Sequence, residues 1–146
     1  ASCGGTGNTF PVALFGLKFA KSEQIKAVAK AGLVPGWFNI NEPITFGMPI
    51  MYNPILCIPY ILSIPVNMLF YYIGFMSGLL MPGWIVNTAL LPMGFGSYLT
   101  TLNWVNALWD YLSIIPMSIV WFPFLKAYDK QLYAKEQEAL AAESAA

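Results

Sequence analysis

Residues 33–54 read LVPGWFNINEPITFGMPIMYNP, with prolines at 35, 43, 49 and 54 and, among them, the amides of Asn39 and Asn41 and the carboxylate of Glu42. Proline removes a backbone donor and clashes with the preceding turn, so no straight helix runs through this stretch. The stretch is nevertheless apolar enough to lie at membrane depth. Irregular backbone is tolerated there only inside protein or against a wet cavity. The reading is a re-entrant hairpin or broken helix with Glu42 near its tip.

The surrounding chain is as apolar. The 146 residues are 58% hydrophobic and 10% charged, with a mean hydropathy of +0.60. Soluble domains carry about 25% charged residues, so the class is an all-α membrane protein. Zero net charge gives no reason to expect a nucleic-acid partner. Residues 9–19, TFPVALFGLKF, look like the end of a membrane helix. The lysine-rich AKSEQIKAVAKAG, residues 20–32, has helical period with Gly32 as its stop. Residues 55–80, at 1.5 Å per residue, give about 39 Å, enough to cross a core of roughly 30 Å, with Pro59 and Pro65 as kinks.

Residues 82–101 hold Pro82, Pro92, Gly94 and Gly96 and predict a second re-entrant element; residues 105–125 predict the last crossing, ending at Lys126. That makes about two full transmembrane helices, a partial one, and two re-entrant or broken hairpins. The two lysine clusters then share one side, the cytoplasmic one by the positive-inside rule. Trp84, Trp104 and Trp109 fit an outer aromatic belt and Trp121 an inner one. The expected division is a membrane domain over residues 1–126 and a polar, helical, cytoplasmic tail over 127–146. The chain begins at Ala1 without a signal-peptide pattern and reads as the C-terminal part of a longer protein.

From Ala31 to Leu125 there is no Lys, Arg or His, and the only acids are Glu42 and Asp110. A carboxylate inside a bilayer costs at least about 2.5 kcal/mol and usually marks a substrate or ion pathway. Asn39 and Asn41 each add two donors and an acceptor beside Glu42. That set suits a polyhydroxylated solute better than a simple ion, and Trp37, Phe38 and Phe46 offer faces for a sugar ring. Asp110, between Trp109 and Tyr111, is read as an outer-interface acid that reaches water. Asn53, Asn67, Asn87, Asn103 and Asn106 are read as interhelical hydrogen-bond donors. Cys3 and Cys57 have neither disulfide nor metal-ligand spacing, and GGTGNT, residues 4–9, lacks the ending of a phosphate loop. Its glycines serve close packing or line a ligand. No cofactor and no metal site is expected. From the residues alone, a proton-coupled carrier or membrane-embedded enzyme using Glu42, and a structural membrane subunit, stay open beside a solute permease.

The segments GGTGNT, KSEQIK, GLVPGWFNINEPITFG and NPILCIPYI, in that order, with FPFLKAYDKQL near the end, resemble enzyme IIC. This is the membrane permease component of the bacterial phosphotransferase system, here in its lactose/cellobiose/chitobiose branch. The resemblance implies uptake of a disaccharide and its phosphorylation from a cysteine on a separate soluble partner, enzyme IIB, in a phosphoenolpyruvate-dependent system. The permease would be the membrane subunit of a sugar phosphotransferase and would not itself carry the phosphoryl group. It implies a multi-pass protein of the bacterial cell membrane with a cytoplasmic C-terminus. An N-terminal part outside this chain would form a homodimer contact. The resemblance makes Glu42 the residue at the hydroxyl to be phosphorylated and Asn39 and Asn41 its neighbours, with Gly5, Thr6 and Gly7 close to the same pocket. The family also uses a histidine upstream of the glycine-rich stretch, and this chain has none.

Overall fold

A computed structural model describes residues 3–144; the outermost two residues of each expected division lie outside it. The described residues form helices and no strand. Helix α1 (Phe10–Lys18) begins with Pro11 in its first turn, where a missing amide costs nothing. After a short link, α2 (Glu23–Trp37) starts at Ser22. The two helices pack closely because Gly16 leaves room for Ala29 and Ile25.

Helix α2 does not stop at Gly32. It runs on through Pro35 to Trp37. Gly32 is buried against the Ile44 side chain, so the glycine serves helix contact and not termination. The break comes at Asn39, whose φ of +62° turns the chain. Asparagine is among the few residues that enter this left-handed region readily. A six-residue helix, α3 (Glu42–Gly47), and a 3₁₀ turn (Ile50–Tyr52) follow.

The longest uninterrupted apolar helix is α4 (Pro54–Met76), which carries Pro59 and Pro65 inside it. Residues 77–94 then hold no helix, and α5 (Phe95–Thr101) is short. Helices α6 (Trp104–Leu112) and α7 (Ile114–Ser144) nearly join, with only Ser113 between them. Two stretches, Pro54–Met76 and the near-continuous Trp104–Ser144, are long and apolar enough to cross a membrane. Helix α7 continues past Lys126 without a break.

The main core gathers Val12, Ile25, Ile44, Leu56, Trp121 and Leu125 from α1, α2, α3, α4 and α7. Trp121 is therefore not an interfacial anchor: it is fully buried and donates its indole N–H to the Gly7 carbonyl at 3.2 Å. Trp109 stacks on Phe70 at 4.8 Å, while Trp84 and Trp104 are exposed. The asparagines cap helices and pin loops: Asn53 and Asn103 accept from Ile55 and Val105 amides, Asn87 from Ala89, and Asn106 makes two bonds to the Met81 backbone.

The link into α2 is held from the far end of α7. Asp129 accepts from the Lys21 and Ser22 amides at 2.9 Å each, and Glu136 accepts from the Ser22 hydroxyl at 2.6 Å. Carboxylates at a helix N-terminus meet unpaired amides and a positive dipole end. The polar extension thus fixes α2 in place.

Candidate functional site

The glycine-rich loop is built on a buried polar support. Asn8, itself at φ +50°, accepts from the Cys3 amide at 2.9 Å and from the Asn67 side chain at 2.8 Å, and donates to the Ser63 carbonyl at 3.2 Å. The Ser63 hydroxyl donates to the Gly7 carbonyl at 2.7 Å, and Thr9 to that of Gly4 at 2.7 Å. Ser63 and Asn67 stand one turn apart on α4, so one helix face holds Gly7 and Asn8 of the loop. Gly7, at φ +77°, lies so close to the Tyr60 ring that any side chain would overlap it.

The loop meets the Asn39–Glu42 turn. Gly4 donates its amide to Asn39 Oδ1 at 3.2 Å, and Asn41 donates its side-chain amide to the Thr6 carbonyl at 2.6 Å. A Cβ on Gly5 would sit 2.8 Å from the Asn39 carbonyl oxygen, so only glycine allows this approach. Asn41 is the N-cap of α3 but makes no cap bond, because its side chain is turned to the loop. Two distant segments thereby adjoin through Gly4, Gly5 and Thr6 on one side and Asn39 and Asn41 on the other, with Gly7 and Glu42 next in the chain to these contacts. Thr6 and Glu42 are exposed at this junction.

A hollow of about 310 Å³ lies beside the turn, lined by Phe38, Asn39, Asn87, Ser97, Thr100 and Asp110 among others. Its volume is at the low end of the range for small-molecule sites, about 300–1,000 Å³. Its lining includes Asn39 but not Glu42. Gly5, Thr6 and Gly7 line a smaller hollow of about 140 Å³ with Asn8 and Asn67. Of the expected aromatic faces, Phe38 lines the larger hollow, Trp37 donates its indole N–H to the Tyr111 hydroxyl at 3.4 Å, and Phe46 is exposed.

Of the two lone acids, Asp110 departs from its expected surroundings. Asp110 does not reach water at an interface: it is buried, at 5% exposure, and accepts from the hydroxyls of Tyr71 on α4 and Ser97 on α5. Two hydroxyl donors satisfy a buried carboxylate where lysine and arginine are absent. The amphipathic face of α6 carries Asn106, Ala107 and Asp110 inward together. That spacing is the sequence signal for the burial. Asn8 and Ser63 are supports of the loop that local sequence reading does not single out; the i, i+4 pair Ser63–Asn67 inside an apolar helix is their available sign.

A profile of the family described as "Phosphotransferase system, EIIC" matches residues 1–63. The chain is 40% identical over 144 residues to the oligo-beta-mannoside-specific EIIC component of Bacillus subtilis, covering 98% of this chain and 33% of that one. It is 36% identical to the lichenan permease IIC component of the same organism, and 36% to the lactose-specific EIICB component of Streptococcus mutans. These alignments each cover 92% of this chain, and 30% and 24% of the relatives. Among solved structures it superposes on ChbC, the IIC component of the N,N'-diacetylchitobiose-specific phosphotransferase system. The TM-score is 0.86 and the identity 34%, over 92% of this chain and 32% of that one. The resemblance to EIIC components thus holds along nearly the whole chain. The chain spans about a third or less of the length of these relatives.

Proposed function

We propose that this chain forms the sugar-binding part of a phosphotransferase-system permease, taking a β-linked disaccharide of the cellobiose, chitobiose or lactose type. The observation that carries this reading is the junction of the glycine loop with the Asn39–Glu42 turn, joined by the Gly4–Asn39 and Asn41–Thr6 hydrogen bonds. Sugar hydroxyls both donate and accept, and this junction presents amide donors, carbonyl acceptors and one carboxylate without a cation beside them. The names of the similar proteins, which give oligo-beta-mannoside, lichenan, lactose and N,N'-diacetylchitobiose, support a carbohydrate substrate.

In this reading residues 33–54 and 82–101 are re-entrant elements around the sugar, and both lysine clusters face the cytoplasm. Residues 1–126 form the membrane domain and 127–146 its cytoplasmic tail. The N-terminal two thirds of the longer protein supply the dimer contact and the second functional side chain. Glu42 orients the acceptor hydroxyl. After alternating access brings the sugar to the cytoplasmic face, that oxygen attacks the phosphoryl group carried by enzyme IIB. The sulfur–phosphorus bond breaks, the cysteine leaves as thiolate, and Glu42 takes the hydroxyl proton.

Glu42→Gln in the full-length permease is the test. Sugar phosphorylation dependent on phosphoenolpyruvate is expected to be abolished with membrane insertion intact. Uptake at the wild-type rate removes Glu42 from the mechanism. Uptake that collapses with the proton gradient and delivers unmodified sugar identifies a proton-coupled carrier instead.

A further inference from the structure

A second hollow system shares no lining residue with the two beside the candidate site. One part, about 480 Å³, is lined by Lys21 from the α1–α2 link and by Lys126, Lys130 and Tyr133 from α7. The other, about 370 Å³, is lined mainly by apolar residues, Leu14, Leu17 and Leu125 among them, with Lys18 at its edge, its ammonium 5.6 Å from the centre of the Phe19 ring. Phe15, Phe19 and Phe122 line both parts, so the two form one trough. The rings stand edge to face, Phe122 lying 5.6 Å from Phe15 and 5.9 Å from Phe19. Phe19 is 55% exposed and Phe122 44%.

The charge at the mouth is unbalanced. Lys126 and Lys130 share one face of α7 at i, i+4. The ion pair among the described residues joins Lys26 to Glu23, and none involves Lys21, Lys126 or Lys130. The one acid lining this part, Asp129, already accepts from the amides of Lys21 and Ser22. Three ammonium groups against one carboxylate leave two positive charges above an exposed aromatic floor. A soluble anion answers the lysines and leaves the floor bare. A hydrocarbon fills the floor and leaves the lysines unanswered. An amphiphile with an anionic head satisfies both, and basic pockets where helices leave the membrane bind such head groups.

We infer that this trough is a binding site for an anionic phospholipid. Its phosphate sits among Lys21, Lys126 and Lys130, and an acyl chain runs over Phe19 and Phe122 toward Leu17. The lysine stems lie along the apolar wall while their ammonium groups stay at the head-group level.

A photo-crosslinking residue in place of Phe122, in the full-length protein within phosphatidylglycerol–phosphatidylcholine membranes, tests the assignment. The expected product is an adduct with the mass of phosphatidylglycerol, enriched at least fivefold over the membrane composition. Lys126→Gln with Lys130→Gln should reduce it at least fivefold, whereas Lys135→Gln, which leaves the trough's lining unchanged, should not. Native mass spectrometry of the unlabelled protein should show the same ranking of retained lipid and needs no variant to fold. Labelling in proportion to membrane composition overturns the assignment. So do crosslinks from this position to another segment of the protein, which mean that protein fills the trough.

Discussion

Asn41 spans 35 positions of sequence to donate its side-chain amide to the Thr6 carbonyl at 2.6 Å. This bond ties the tip of a proline-broken segment to a loop that is itself held by Ser63, Asn67 and Trp121. Asn41→Ala removes it, and Asn41→Asp removes the donor while keeping the shape. One such bond is worth about 1 kcal/mol, or about fivefold in an equilibrium. Both variants of the full-length permease are expected to bind sugar several-fold more weakly in calorimetry, with insertion and thermal stability nearly unchanged. A loss of stability larger than the loss of affinity would make Asn41 a structural residue only.

Asp110 holds Tyr71 and Ser97 in one buried cluster at the edge of the larger hollow. Asp110→Asn retains one acceptor and turns an amide donor toward a hydroxyl, leaving a buried donor unpaired. The expected cost is about 1–3 kcal/mol, read as a lower melting temperature of the detergent-solubilised full-length protein. Tyr71→Phe removes the facing hydroxyl. The double variant Asp110→Asn, Tyr71→Phe should therefore lose less than the sum of the two single losses. Strict additivity would show that the two side chains do not interact in the folded protein.

Gly7 and Gly78 share a left-handed backbone, at φ +77° and +74°, but differ in surroundings. Gly78 faces open space, so Gly78→Ala carries only the backbone penalty of about 1–2 kcal/mol. Gly7→Ala adds a clash with the Tyr60 ring, and overpacking costs a further 1–3 kcal/mol or so. It also disturbs the carbonyl that receives Ser63 and Trp121. Thermal melting should rank Gly7→Ala clearly below Gly78→Ala, and sugar binding should fall in the first variant alone. Equal melting points would contradict the packing described for the loop.

The apolar spans and the break between Trp37 and Asn53 were legible in the sequence because they follow from local properties: proline spacing, hydropathy and the scarcity of charge. The grouping of Gly5–Gly7 with Asn39–Glu42 came from the family resemblance. Its bonds cross 35 positions, which periodicity does not report. Hydropathy also did not distinguish a tryptophan at an interface from one in the core. Trp121 is buried because the Gly7 carbonyl, 114 positions away, satisfies its indole N–H. Asp110 misled for the same reason. An acid near an expected membrane edge looks solvated until two hydroxyls from α4 and α5 are found on it. Gly32 read as a stop because the glycine signal is identical for a helix end and a helix contact.

Glu136 couples the α7 extension to the start of α2 and makes that contact sensitive to acid. The residue lies ten positions beyond Lys126, in the polar part of the helix. The Ser22 hydroxyl, the Gln24 and Glu23 amides and the nearby Lys26 charge favour its ionised form and hold its carboxyl below the ordinary value of 4.5. A carboxyl depressed in the folded state contributes stability that is present above its unfolded value and is lost as pH falls through the folded one. The α2–α7 contact is therefore expected to hold fully at pH 7 and to weaken below about pH 4.5. Hydrogen exchange of the Glu23 and Gln24 amides in the full-length protein, corrected for intrinsic rates, should rise relative to pH 7 in that acid range. Glu136→Gln keeps a hydrogen-bonding side chain but cannot ionise, so its exchange should already be faster at pH 7 and should change little on acidification. An acid response in the variant equal to that of the wild type would assign the effect to another carboxylate, with Asp129 on the neighbouring amides the first to test.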